Sequence, residues 1–171
     1  MKIHLQILVV SVTLLASASA FAKNPLLPDP KLTKGKVTSI SADTLCQKSF
    51  HTKDERFVTD AMKKRIFAKY GITSHKPREY EIDHLISLEL GGSNDESNLW
   101  PQSYVTEPWN AHVKDQLETR LHWMICNNQI TLQQAQNAIR KNWINAYKKY
   151  ISPTPLAKLP RPTVKAAAIK H

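Results

Sequence analysis

Asp83 and His84 stand side by side in the stretch YEIDHLISLELGGSNDESNLWPQ, which runs from Tyr80 to Gln102, and Asn98 follows a Gly91-Gly92 turn. A carboxylate next to an imidazole has two explanations. Either a stable hairpin happens to contain a histidine, or the hairpin carries a metal-dependent active site. The imidazole has an ordinary pKa of about 6.5, so at neutral pH it is mostly free to accept a proton.

The surrounding residues must position this pair. Tyr80 to His84 alternates as a short strand, with Tyr80, Ile82 and His84 on one side and Glu81 and Asp83 on the other. Neighbours in a regular strand point to opposite faces, so Asp83 and His84 converge only if the strand ends there and the backbone bends. The cluster Gly91-Gly92-Ser93-Asn94-Asp95 demands a turn, and Asn98-Leu99-Trp100-Pro101 returns as a second strand stopped by Pro101. Upstream, Thr59 caps a predicted helix to about Tyr70, with Val58, Met62, Ile66 and Tyr70 as its apolar stripe and Gly71 as its end. Downstream, Pro108 to Cys126 is predicted helical, with Val113, Leu117, Leu121 and Met124 on one face and Lys114 and Glu118 able to pair at i, i+4. A further helix ends near Tyr150. It opens at Thr131, in capping-box spacing with Gln134, and its core-facing side is Leu132, Ala135, Ile139, Trp143, Ala146 and Tyr147.

Strand with Asp-His, loop, short strand with Asn, then helix is the order of the ββα-metal hairpin. The stretch EIDHLISLELGGSNDESNLWP resembles the HNH endonuclease motif. The chain is similar to an exported bacterial branch of that superfamily with the pattern YEIDHLI..ELGG..N..NLWPQ and a following KD..E helix, here Lys114, Asp115 and Glu118. The motif covers about Tyr80 to Glu118, and a looser likeness runs from Cys46 to Tyr150. The fold class this implies is α+β and mainly helical, with the ββα-metal hairpin packed among additional helices and one disulfide.

The resemblance also implies roles. His84 matches the general base that deprotonates the attacking water, and Asp83 the ligand of one divalent cation at the scissile phosphate. Asn98 matches the residue that braces the loop and orients His84. The third motif letter falls on Asn110 or His112: Asn110 shares the inward stripe with Val113, whereas imidazole is the stronger ligand for Mn²⁺, Ni²⁺ or Zn²⁺. Mg²⁺ or Mn²⁺ is the expected ion, with Zn²⁺ or Ni²⁺ as alternatives.

Other residues have plainer explanations. Gly91 and Gly92 serve the turn, because no Lys-Ser/Thr follows to complete a phosphate cradle. Trp100, Trp109, Trp123 and Trp143 are expected in the core. His51, His75, His122 and His171 have no partner at ligand spacing. Lys63, Lys64 and Lys114 are candidate phosphate contacts, set against a simple solvated helix face.

The 171-residue chain carries 24 Lys and Arg against 14 Asp and Glu, a formal charge of +10, which suits polyanionic partners such as nucleic acid. Residues 1–22 read as an export signal, with Lys2, an apolar run from Leu5 to Leu15 too short for a membrane span, and Ala20-Phe21-Ala22 at the cleavage point. Residues 23–36 read as an extended lead-in, 37–151 as one nuclease-like domain, and 152–171 as a flexible basic Pro-rich tail. In an oxidising compartment Cys46 and Cys126 make one disulfide, worth about 4 to 5 kcal/mol by chain entropy. The expectation is a monomeric periplasmic or secreted endonuclease of low sequence specificity that acts on the DNA or RNA backbone. The alternative is an exported module that binds nucleic acid or another polyanion without cutting it.

Overall fold

A computed structural model of the chain describes residues 26–151. Five helices surround one hairpin: α1 (Ala42–Leu45), α2 (Thr52–Glu55), α3 (Asp60–Lys69), α4 (Ala111–Cys126) and α5 (Leu132–Tyr150), with β1 (Tyr80–His84) and β2 (Leu99–Ser103) forming a two-stranded antiparallel sheet. The register pairs Asp83 with Trp100 and His84 with Leu99. Cross-strand partners share a face, so the hairpin has two distinct sides. On one, Ile82 and Leu99 pack against Ile66 of α3, flanked by Val58, Met62 and Tyr70, as the stripe predicts. On the other, Trp100 enters the main core with Leu117 and Leu121 of α4 and Ile139, Trp143 and Tyr147 of α5.

The helix starts follow their caps. Thr59 accepts from the Met62 amide, and Thr131 and Gln134 make both halves of the capping box. α4 begins later than the sequence suggests, at Ala111, because Asn110 is the residue whose side chain caps the Val113 amide. α5 is interrupted at Asn142, whose backbone leaves helical geometry (φ −172°, ψ 104°) while its side chain accepts from the Asn145 amide and caps the second half.

Two expectations change. The lead-in is docked and not merely extended from Leu26 onward: Thr33 is buried, its hydroxyl donating to Leu99 O and contacting the Tyr70 hydroxyl, and the Lys34 and Gly35 amides donate to Ser97 O. Backbone groups beside β2 were available to it, and charge and proline content do not reveal such a partner. Among the tryptophans, Trp100 and Trp143 are fully buried and Trp109 makes edge contacts with Trp143 and Tyr147, but Trp123 is 45 % exposed under the Arg120 guanidinium. Trp123 lies off the Leu117–Leu121–Ile125 stripe of α4, so its helical position and not its residue type decides its place.

Cys46 and Cys126 form the disulfide, joining the end of α1 to the end of α4 across 80 residues. No helix among the described residues is long and apolar enough to cross a membrane. The predicted signal (1–22) and the tail (152–171) lie outside the described residues.

Close backbone approach explains Gly92. A Cβ there would stand 1.7 Å from Ile86 O and 2.9 Å from Asn98 Nδ2. Gly92→Ala therefore has to displace main chain, and a loss of about 3 kcal/mol in urea unfolding is expected; an unchanged midpoint would show that the turn can shift.

Candidate active site

β1 ends at His84, and strand alternation separates this residue from Asp83. The His84 ring turns toward the loop after α2, where its Nδ1 lies 3.1 Å from Arg56 Nη1 and its Nε2 lies 3.0 Å from Asn94 Oδ1. Asn94 is itself oriented by two backbone contacts, its Nδ2 donating to Glu55 O and its Oδ1 accepting from the Phe57 amide. Its oxygen thus faces the ring, so Nε2 carries the hydrogen and Nδ1 keeps the lone pair that receives the Arg56 donor. Arg56 is anchored by a second bond, Nη2 to Ile82 O at 2.7 Å, and remains exposed on its outer side.

His84 is 2 % exposed. Burial pushes its pKa down to about 4, aided by the positive charges of Arg56 and Lys114 and opposed by Asp83 and the Asn94 hydrogen bond. At neutral pH the ring is therefore uncharged.

Asp83 faces α4. Its Oδ2 receives Lys114 Nζ at 2.7 Å, and the same ammonium donates to His84 O at 2.7 Å and to Glu118 Oε1. Lys114 has no exposed surface. Burial alone would lower its pKa, but the Asp83 and Glu118 carboxylates more than reverse this and hold it above its ordinary value, so it stays charged. Next along the strand, Tyr104 donates to Glu81 Oε2 at 2.6 Å, and burial with Asp83 nearby pushes the Glu81 carboxyl up to about 7.

The motif residues that the sequence grouped around one cation are thus partnered separately. Asp83 holds an ammonium. Asn110 spends its side-chain oxygen on the Val113 amide, with its Nδ2 3.4 Å from Glu107 Oε1. His112 keeps a half-exposed side chain whose Nδ1 is 3.9 Å from Asp115 Oδ2 and whose ring tilts over Tyr104. As arranged, these donors do not fit a divalent ion held by Asp83.

Asn98 is fully buried, accepts from the Ile86 amide and donates to Ile86 O and Ser93 O, so its side chain holds the loop backbone. The residue whose side chain bonds the His84 ring is instead Asn94, four positions earlier, because the Asn98 side chain is committed to the loop backbone. Lys114 is excluded as a phosphate contact, since all three ammonium donors are used inside the protein. On α3, Lys63 pairs with Asp60, and Arg65 and Lys69 pair with Glu96, so much of that basic face is met by the protein's own acids; Lys64 is exposed. His122, given no role from sequence, lies beside the disulfide, its Nε2 3.5 Å from Cys126 Sγ. With both sulfurs bonded to each other, Cys46, His122 and Cys126 lack the thiolates a metal would need.

Sequence reasoning missed Arg56, which lies 28 residues before His84 in a segment with no recognisable spacing. Asn94 sits within the quoted motif but reads as turn chemistry.

Compared with family models, with curated proteins and with solved structures, the chain finds no match in any of the three.

Proposed function

We propose that the protein is an exported endonuclease that hydrolyses phosphodiester bonds of DNA or RNA at His84. The observation that carries this reading is the exposed Arg56 guanidinium, 3.1 Å from the one lone pair of a buried, neutral imidazole at the end of the hairpin. A guanidinium matches phosphate oxygens bidentately, so a backbone phosphate competes for Arg56 and uncovers Nδ1 as it binds. His84 then takes a proton from water, the water oxygen bonds to phosphorus, and the P–O3′ bond breaks, the leaving oxygen taking a proton from solvent while His84 returns its own to solvent, to leave 5′-phosphate and 3′-hydroxyl ends. The chain's charge of +10 draws the polyanion in, and phosphate contacts alone carry no sequence information, in keeping with low specificity. The disulfide suits an oxidising compartment, periplasmic or extracellular.

The mature protein should nick plasmid DNA or degrade RNA, assayed with Mg²⁺, with Mn²⁺ and in EDTA, so that the expected divalent ion is a variable of the experiment. Arg56→Ala is expected to weaken substrate use by roughly ten- to a hundredfold, the worth of a charge-assisted contact to phosphate. Arg56→Lys recovers part of this, because it restores charge without the planar fork. If wild type leaves both substrates intact under all three conditions, the hydrolytic reading fails.

A second reading rests on a separate observation: both His84 nitrogens and the Asp83 carboxylate already have protein partners. An HNH-like scaffold fixed in that state binds nucleic acid without cutting it. Salt-sensitive, metal-independent retention of DNA with no product on a gel distinguishes it.

A further inference from the structure

Three oxygens converge on one point between β1 and α4: Asp83 Oδ2, the main-chain carbonyl of His84 and Glu118 Oε1. Carboxylates and a backbone carbonyl are the donors that a hard divalent cation takes. At their centre stands Lys114 Nζ, wholly buried, with one hydrogen directed at each oxygen.

We propose that Lys114 is the resident cation of the hairpin, so that its ammonium takes the place at Asp83 that a divalent metal ion would hold. Two consequences follow. Asp83 is neutralised from inside the protein and is not available to carry a metal to substrate. The bond to His84 O, coming from the helix that follows the hairpin, pins the backbone of the residue whose ring meets Arg56, so Lys114 is a positioning residue for His84. Its placement is built by α4: the i, i+4 spacing brings Glu118 beside Lys114, and the buried Leu117–Leu121 stripe seats the helix on the hairpin.

This inference deepens the nuclease reading but fails separately from it. The test is Mn²⁺ binding by calorimetry and electron paramagnetic resonance on the full mature chain, with unfolding followed by circular dichroism. Wild type is expected to show no saturable Mn²⁺ site that depends on Asp83. Lys114→Met leaves the oxygens without a cation; it is expected to lower Tm and to create a Mn²⁺ site roughly tenfold or more tighter than any in wild type. Mn²⁺ should recover part of the lost Tm in that variant and none in the Asp83→Asn, Lys114→Met double variant.

One Mn²⁺ bound by wild type and lost in Asp83→Asn overturns the proposal. So does a Lys114→Met chain that keeps the wild-type Tm, or one that folds and gains nothing from Mn²⁺. If Lys114→Met does not fold, the wild-type titration decides alone. Cleavage by wild type in EDTA agrees with both this inference and the nuclease reading. Cleavage that needs Mn²⁺ bound at Asp83 leaves the reading and removes the inference. No cleavage under any condition, with no Mn²⁺ at Asp83, removes the reading and leaves the inference.

Discussion

His84→Gln is expected to lower cleavage by about 10²- to 10⁴-fold, the usual contribution of a positioned general base, while the hairpin stays folded. Glutamine suits this test because its amide oxygen can accept from Arg56 and its amide nitrogen can donate to Asn94, copying the contacts of the imidazole at Nδ1 and Nε2. It cannot take a proton. If the variant cuts as fast as wild type under single-turnover conditions, His84 is not the base.

The pH profile gives a second readout. With the His84 pKa pushed down to about 4, the acid limb of kcat/KM belongs near that value and not near 6.5. Arg56→Ala removes one of the charges that lower it, so the limb should move upward. Stability follows by linkage, with this sign: the folded pKa is below the unfolded one, so the contribution is complete above about 6.5 and is lost as pH falls toward 4. A difference of this size corresponds to about 3 kcal/mol. Glu81, pushed up to about 7 by burial and Asp83, has the opposite sign, losing its contribution as pH rises through that value. The difference in unfolding free energy between wild type and His84→Gln therefore isolates the histidine. It should shrink by about that amount between pH 7 and 4.

Local chemistry made some of this legible in the sequence and left other parts hidden. The caps at Thr59 and Thr131, the α3 stripe through Ile66 and the glycine turn involve partners within a few residues, and all appear where expected. The i, i+4 pairing of Lys114 with Glu118 was equally readable. Its destination was not, because the third partner is Asp83, 31 residues back, and a helical period does not say which face meets the hairpin. Strand alternation warned that Asp83 and His84 would diverge, and they do, toward α4 and toward the α2–α3 loop. Arg56 meets His84 where Ile82 O anchors it and where Asn94 ties Glu55 and Phe57 to the turn, contacts across 26 to 39 residues with no periodic signal.

Asn98→Ala is expected to cost about 3 to 5 kcal/mol. The side chain is fully buried and satisfies three backbone groups: the Ile86 amide at 3.0 Å, Ile86 O at 2.9 Å and Ser93 O at 2.9 Å. Truncation leaves these groups without their partner. Asn98→Asp separates the contributions, because it keeps the acceptor for the Ile86 amide but sets a carboxylate against two carbonyl oxygens. It should be at least as damaging as alanine above pH 5 and recover as the carboxyl takes a proton, which restores one donor. Urea unfolding of both variants at pH 7 and pH 4 measures this directly. An Asn98→Ala chain that loses activity but keeps the wild-type unfolding midpoint would move Asn98 from bracing the loop to the chemistry itself, which its contacts with Ile86 and Ser93 argue against.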